Sequence, residues 1–179
     1  MTLFQPQYRV LSVQIGKALP LQIGDRTVLS GIGKQAVDGS VAVNQLGLDG
    51  DEQADLTVHG GLSKAVYAYP AEHYPFWREQ RSALGLSTEL RYGSLGENLT
   101  LTGLLESMLY VGDTLCFPNC TLRVTQPREP CYNFNAVMGD PKAAKKMARS
   151  GFWGFYIAVE SPGSIMAGHA YEVKTGKHQ

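Results

Sequence analysis

YVGDTLCFPNCTLRVT (Tyr110 to Thr125), continued by QPREPC (Gln126 to Cys131), is the stretch on which the fold turns. Its first part reads as a β-hairpin with its turn at Pro118-Asn119, and its second strand, Thr121 to Thr125, runs straight into two prolines. Each proline fixes φ and removes a backbone donor, so the ladder is expected to stop at about Pro127 and to present Cys131 on a stiff rim. Arg128, three residues before the sulfur, is a permanent cation whose planar fork lowers the pKa of a neighbouring thiol or holds a phosphate. The same six residues also suit a surface turn with an incidental cysteine, and locally the two readings stay open.

Outward from this corner, short β-rich runs punctuated by glycine recur. Tyr8 to Lys17 is a first strand, Ala18 to Arg26 with Pro20 and Gly24 reads as loop, and Val28 to Gly33 and Ser40 to Val43 are short strands about an Asp38-Gly39 turn. Ala65 to Tyr69 is a compact strand ending at Pro70. Ala71 to Arg81 reads as a helix kinked or restarted at Pro75, and Ser94 to Leu101 as loop entering a strand. Pro141 to Arg149 reads as a short basic helix with Gly151 beyond its end, and Phe155 to Val159 and Ala170 to Lys174 as closing strands. The pattern predicts a mainly β fold, a curved and largely antiparallel sheet or barrel with a few short helices. No repeat or linker interrupts residues 1–179, which are expected to form one domain with its core over about 8–174.

Lysine plus arginine and aspartate plus glutamate number 16 each, so no net field draws the chain to polymeric nucleic acid or an anionic membrane. Any anion site must be local. Met1 to Arg9 lacks the layout of a secretory signal, and no apolar run is long enough to span a bilayer. Three cysteines, Cys116, Cys120 and Cys131, do not make a disulfide framework, which favours reduced thiols and a cytoplasmic location. Cys116 and Cys120 flank the hairpin turn without a second closely spaced pair for structural zinc, and read as small hairpin residues.

Two further clusters carry chemistry. In DLTVHGGLSKAVYAY (Asp55 to Tyr69), the paired glycines after His59 allow close backbone approach, so that His59, Gly60, Gly61, Ser63 and Lys64 are able to cradle a phosphate; a plain tight turn fits the same residues. In Gly96-Glu97-Asn98, Asn98 offers donors and an acceptor to a heterocycle edge, or makes a structural turn. The acidic run Asp49, Asp51, Glu52 and Asp55 lacks the spacing of a calcium loop and reads as solvated. His73, His169 and His178 read as surface residues.

Gly50-Asp51, VHGG (Val58 to Gly61) with KAVYAYPAEHY after it, GENL (Gly96 to Leu99), VGD (Val111 to Asp113) and QPREPCYNFN (Gln126 to Asn135) together resemble the MOSC domain family, the molybdenum cofactor sulfurase C-terminal domain, and within it the bacterial YiiM-like branch. The resemblance implies a barrel-like fold that binds the molybdenum cofactor, a molybdenum-pyranopterin, with Cys131 as metal ligand and catalytic residue. By motif position it implies a pocket lined by His59, Gly60, Gly61, Glu97, Asn98 and Arg128, to which Lys64 is added for its charge. It further implies reduction of small N-hydroxylated compounds such as hydroxylaminopurine bases, with electrons delivered by an external reductase. A carrier of cofactor or sulfur without turnover of its own, and a metal-free thiol enzyme, are the rival classes. The chain departs from the family pattern at Asn133, where lysine is common, and at its end near Gln179, where the branch usually continues into a helical segment.

Overall fold

The computed structural model describes residues 8–54 and 60–176. Along the chain run β1 (Arg9–Ile15), β2 (Leu19–Ile23), β3 (Arg26–Ser30), β4 (Gln35–Ala36), β5 (Val41–Asn44), β6 (Gly47–Leu48) and β7 (Val66–Pro70). Helix α1 (Tyr74–Ala83) precedes β8 (Leu99–Thr102), β9 (Thr114–Cys116) and β10 (Thr121–Pro127). Helices α2 (Tyr132–Met138) and α3 (Ala143–Ser150) come next, then β11 (Phe155–Ser161), β12 (Gly163–Ile165) and β13 (Glu172–Lys174).

Eight strands form one sheet in the order β13-β9-β10-β11-β7-β8-β1-β4. Its ladders are antiparallel except for the parallel pair β7 and β8. The sheet curls until the segment before β13 meets β1: Val10 N–H donates to the His169 carbonyl (2.9 Å), Gly168 N–H to the Val10 carbonyl (2.8 Å), and Arg9 bridges Ala170. No continuous ladder closes the roll among the described residues, so the fold is mainly β and barrel-like rather than a sealed barrel. No helix among the described residues is long and apolar enough to cross a membrane.

β7 shows why the core has two halves. Side chains alternate across a strand, so Val66 and Ala68 enter the aliphatic interior with Val13, Leu99, Leu122 and Ile157, while Tyr67 and Tyr69 point to an aromatic layer under the helices. That layer is anchored by Trp77 and Phe134, whose rings meet edge to face at 5.1 Å. Its buried polar tips are satisfied: Trp77 Nε1–H donates to Tyr69 Oη (2.6 Å), and Tyr69 O–H to the Phe152 carbonyl (3.0 Å).

Three local expectations need correction. Ala18 to Arg26 is not a loop: β2 and β3 form a two-stranded ribbon with Ile23 opposite Arg26, turned by Gly24 at φ 56°. Pro20 is tolerated because a two-stranded ribbon has only edges. Tyr132 to Met138, not expected as a helix, forms α2, which packs Phe134 and Met138 inward and closes on Gly139 at φ 64°. Pro141 precedes α3 instead of lying in its first turn. At Pro75 the helix restarts, a 3₁₀ turn over Ala71–His73 giving way to α1 with the proline in its first turn. The ladder of β10 stops at Pro127, as the two prolines require.

Candidate functional site

Where β10 ends, the wall formed by the β3–β4 connection faces α2 across a cavity of about 450 Å³, within the size range of small-molecule and cofactor sites. Gly31 and Glu52 bring two of its walls together so closely that a Cβ on Gly31 would strike the Glu52 carbonyl. Tyr67 and Tyr156 supply aromatic surface, and Arg128, Cys131 and Asn133 supply polar atoms.

Arg128 leaves the strand with its backbone N–H on the Gly154 carbonyl (3.3 Å) and turns its side chain inward to 6% exposure. Nη1–H donates to the Leu95 carbonyl at 2.6 Å, and the guanidinium lies 4.5 Å from the Tyr67 ring centroid. Its Nε is buried with no partner, and no carboxylate pairs with it among the described residues. Burial opposes the charge; the nearby hydroxyls of Tyr67 and Tyr156 and the Cys131 thiol act the other way and hold the pKa above its ordinary value. A buried cation without a counter-charge is unfavourable unless an anion arrives.

Cys131 sits half-buried on the cavity, extended at φ −117° as the residue before α2. Its carbonyl accepts from Phe134 N–H (3.1 Å), so the sulfur is carried by a helix pinned in the aromatic layer. Asn133, the second residue of α2, has Oδ1 buried with no partner. Lys64 lines the same cavity, its ammonium 5.6 Å from the Tyr156 ring centroid.

The GENL residues are placed differently. Glu97 does not line the cavity: it is fully buried and accepts from Gly93 N–H (2.8 Å), Leu95 N–H (3.2 Å), Thr100 O–H (2.9 Å) and Tyr74 O–H. Both of its oxygens are engaged by the fold, so the structure places it in the scaffold behind the cavity and not on the cavity lining where the resemblance puts it. Burial pushes its pKa up in spite of these donors, and burial and the Glu97 carboxylate push that of Tyr74 up. Asn98 does reach the cavity wall, yet its Oδ1 accepts from Tyr67 N–H (3.1 Å) and its Nδ2 donates to Asp51 Oδ2 (2.8 Å) and the Gln14 carbonyl (3.3 Å). The amide expected to read a heterocycle is a strut between β1, β7 and the 51–54 wall. Gly60 and Gly61 are not on the cavity; Gly61, at φ 83°, precedes a 3₁₀ turn over Leu62–Lys64. His59 lies outside the described residues.

Asp51, which the sequence suggests is solvated, has its side chain buried and paired with Lys34 at 2.5 Å. Lys34 itself carries no sequence signal. It lies 17 residues from Asp51, and only the fold makes them neighbours. Cys120 is buried in the hairpin, Cys116 half-buried, both are free, and no cluster able to hold a metal ion occurs among the described residues. His73, expected on the surface, is buried, stacked at 3.9 Å on Phe152 and bonded through Nε2 to Glu106 (2.7 Å).

The MOSC domain model matches residues 55–172. YflK of Bacillus subtilis is 37% identical over 169 residues, which cover 94% of this chain and 74% of that protein. YiiM of Escherichia coli is 39% identical over 139 residues, 77% of this chain and 61% of YiiM. A protein named Reductase from Gibberella moniliformis is 32% identical over 160 residues, 89% of this chain but 28% of the larger protein. The crystal structure of YiiM from Geobacillus stearothermophilus superposes with a TM-score of 0.73 at 31% identity, covering 94% of this chain and 75% of that one.

Proposed function

The chain belongs to the MOSC domain family, and from that premise we propose that it binds a molybdenum-pyranopterin cofactor in the 450 Å³ cavity and reduces N-hydroxylated compounds, hydroxylaminopurine bases among them. The observation that carries the reading is Arg128, a buried guanidinium facing a cavity with Nε unfilled and no carboxylate beside it among the described residues. An anionic, heteroatom-rich ligand supplies what that residue lacks. Asn133 Oδ1, a buried acceptor without a donor, suits the N–H groups of a heterocycle, and the tyrosine faces suit its ring. The donor set therefore fits the group: one soft sulfur, two cations in Arg128 and Lys64, and aromatic walls.

When bound, the cofactor supplies the two-electron chemistry that removes oxygen from an N–OH group, with electrons from an external reductase. The chain's own residues hold and orient. Cys131 offers its sulfur as the protein's ligand to the metal, and the Arg128 charge favours the thiolate it must become. Pro127 and Pro130 stiffen the backbone on both sides of Arg128, and α2 fixes the sulfur from the other side. Tyr67 is committed to the Trp153 carbonyl (2.8 Å), which keeps its ring under the guanidinium. With its three cysteines reduced, the protein works in the cytoplasm.

Protein made in a host that synthesises the cofactor, given an artificial electron donor and a hydroxylaminopurine base, is expected to convert many equivalents per chain. Absence of turnover from cofactor-loaded protein would refute the reductase reading, and a carrier role would replace it.

A further inference from the structure

We propose that Lys34 is an oxyanion-binding residue of the cavity, taking a phosphate monoester carried by the ligand, and that Asp51 is the residue that positions it. The Lys34 and Asp51 side chains are 7% and 4% exposed, and both line the cavity. An ammonium has three donors. Asp51 Oδ1 takes one at 2.5 Å, and no other partner for Nζ occurs among the described residues.

Asp51 does not depend on Lys34 for its own satisfaction. Gly16 N–H donates to Oδ1 at 2.8 Å and Asn98 Nδ2–H to Oδ2 at 2.8 Å, so two N–H donors from separate parts of the fold already hold the carboxylate. The carboxylate in turn fixes the ammonium against the cavity wall with donors left over. Unfilled donors on a buried charge are costly, and an oxyanion fills them. Arg128, with Nε unfilled on the same cavity, adds a second cation, and a phosphate monoester carries close to two negative charges near neutral pH. Asn98, by contrast, has both amide N–H groups donated and its oxygen already accepting from Tyr67, so it has no donor left for an oxyanion. The phosphate belongs either to the cofactor or to a nucleotide substrate. The inference rests on the cavity being the ligand site proposed above, but not on the reaction that takes place there.

The test is titration of metal-free protein with inorganic phosphate, followed by ³¹P line broadening. Lys34→Gln is expected to weaken binding roughly tenfold, Lys34→Arg to restore most of it, and the exposed Lys145→Met to change nothing. A folded Lys34→Gln that binds phosphate like the unsubstituted protein overturns the proposal. Should that variant not fold, the Nζ resonance of Lys34 in ¹⁵N-lysine protein serves instead: it should move on phosphate addition, and a stationary resonance overturns the proposal equally. Pterin content per chain that falls in Lys34→Gln assigns the phosphate to the cofactor. Unchanged pterin, with a KM raised roughly tenfold for the N-hydroxylated nucleoside monophosphate and unaltered for the base, assigns it to the substrate. If neither change occurs, the proposal is overturned. Cys131→Ser protein that loses molybdenum but still binds phosphate separates this inference from the metal-ligand reading.

Discussion

The GENL loop and the QPREPC corner both bury a charged residue, and they treat it in opposite ways. Glu97 is enclosed with four donors on its two oxygens; Arg128 is enclosed with Nε empty and no carboxylate at hand among the described residues. The first arrangement is finished in the chain alone, whereas the second is completed only by something from outside. Motif residues thus divide into those that build the scaffold and those that wait on the contents of the cavity. Satisfaction of hydrogen bonds, rather than membership of a motif, tells them apart.

Glu97→Leu strikes the finished side hardest. It strands two backbone N–H groups and the Thr100 hydroxyl in the interior, with only the Arg91 carbonyl left to Tyr74, so a loss of about 3–5 kcal/mol in urea unfolding is expected, with or without cofactor. A loss under about 1 kcal/mol would mean that the knot around Glu97 is not structural. Glu97→Gln sharpens the point through pH. Because burial raises the folded-state pKa of Glu97, its ionisation opposes folding: its favourable share of stability is complete below the ordinary carboxylate pKa and fades as pH rises through the raised value. Unfolding free energies measured across that window should decline with pH more steeply in the unsubstituted protein than in the glutamine variant, and parallel curves would contradict the assignment.

Arg128→Met tests the unfinished side. Removing a buried charge that has no carboxylate partner should change stability by no more than about 1 kcal/mol, since the lost bond to the Leu95 carbonyl is offset by relief of desolvation, while pterin content falls sharply. A large loss of stability with normal pterin content would move Arg128 into the scaffold beside Glu97. Cys131→Ser should perturb the fold least. The cysteine makes no capping bond at the start of α2, where serine is a favoured residue, so thermal unfolding is expected to show no loss and a gain of at most about 1 kcal/mol.

The contrast also shows which parts of the molecule could be read from residues in a row. The stop at Pro127, the β9–β10 hairpin and the αL closure of α3 at Gly151 depend on single residues and their neighbours, and they stand where the sequence puts them. The β2–β3 ribbon is masked in the sequence because Pro20 reads as a strand breaker, although Gly24-Asp25 is a hairpin dipeptide and an exposed ribbon accepts proline. α2 is too short for a helical period to stand out, and its placement depends on Phe134 meeting Trp77 across the aromatic layer. Cys131, Arg128, Lys64 and Asn98 lie on the cavity, but the roles of Glu97 and Asn98 follow from burial and from partners on other strands, which no local pattern records. Lys34 and Asp51 are neighbours only in the folded structure, where the connection into β4 lies against the segment that follows β6.

The most direct measurement is the molybdenum and pterin content of Cys131→Ser against unsubstituted protein, both made in a host that supplies the cofactor. The expected result is about one molybdenum per chain in the unsubstituted protein and little or none in a variant of equal stability, as loss of a thiolate ligand requires. Equal molybdenum in the two proteins would contradict the placement of the metal on that sulfur.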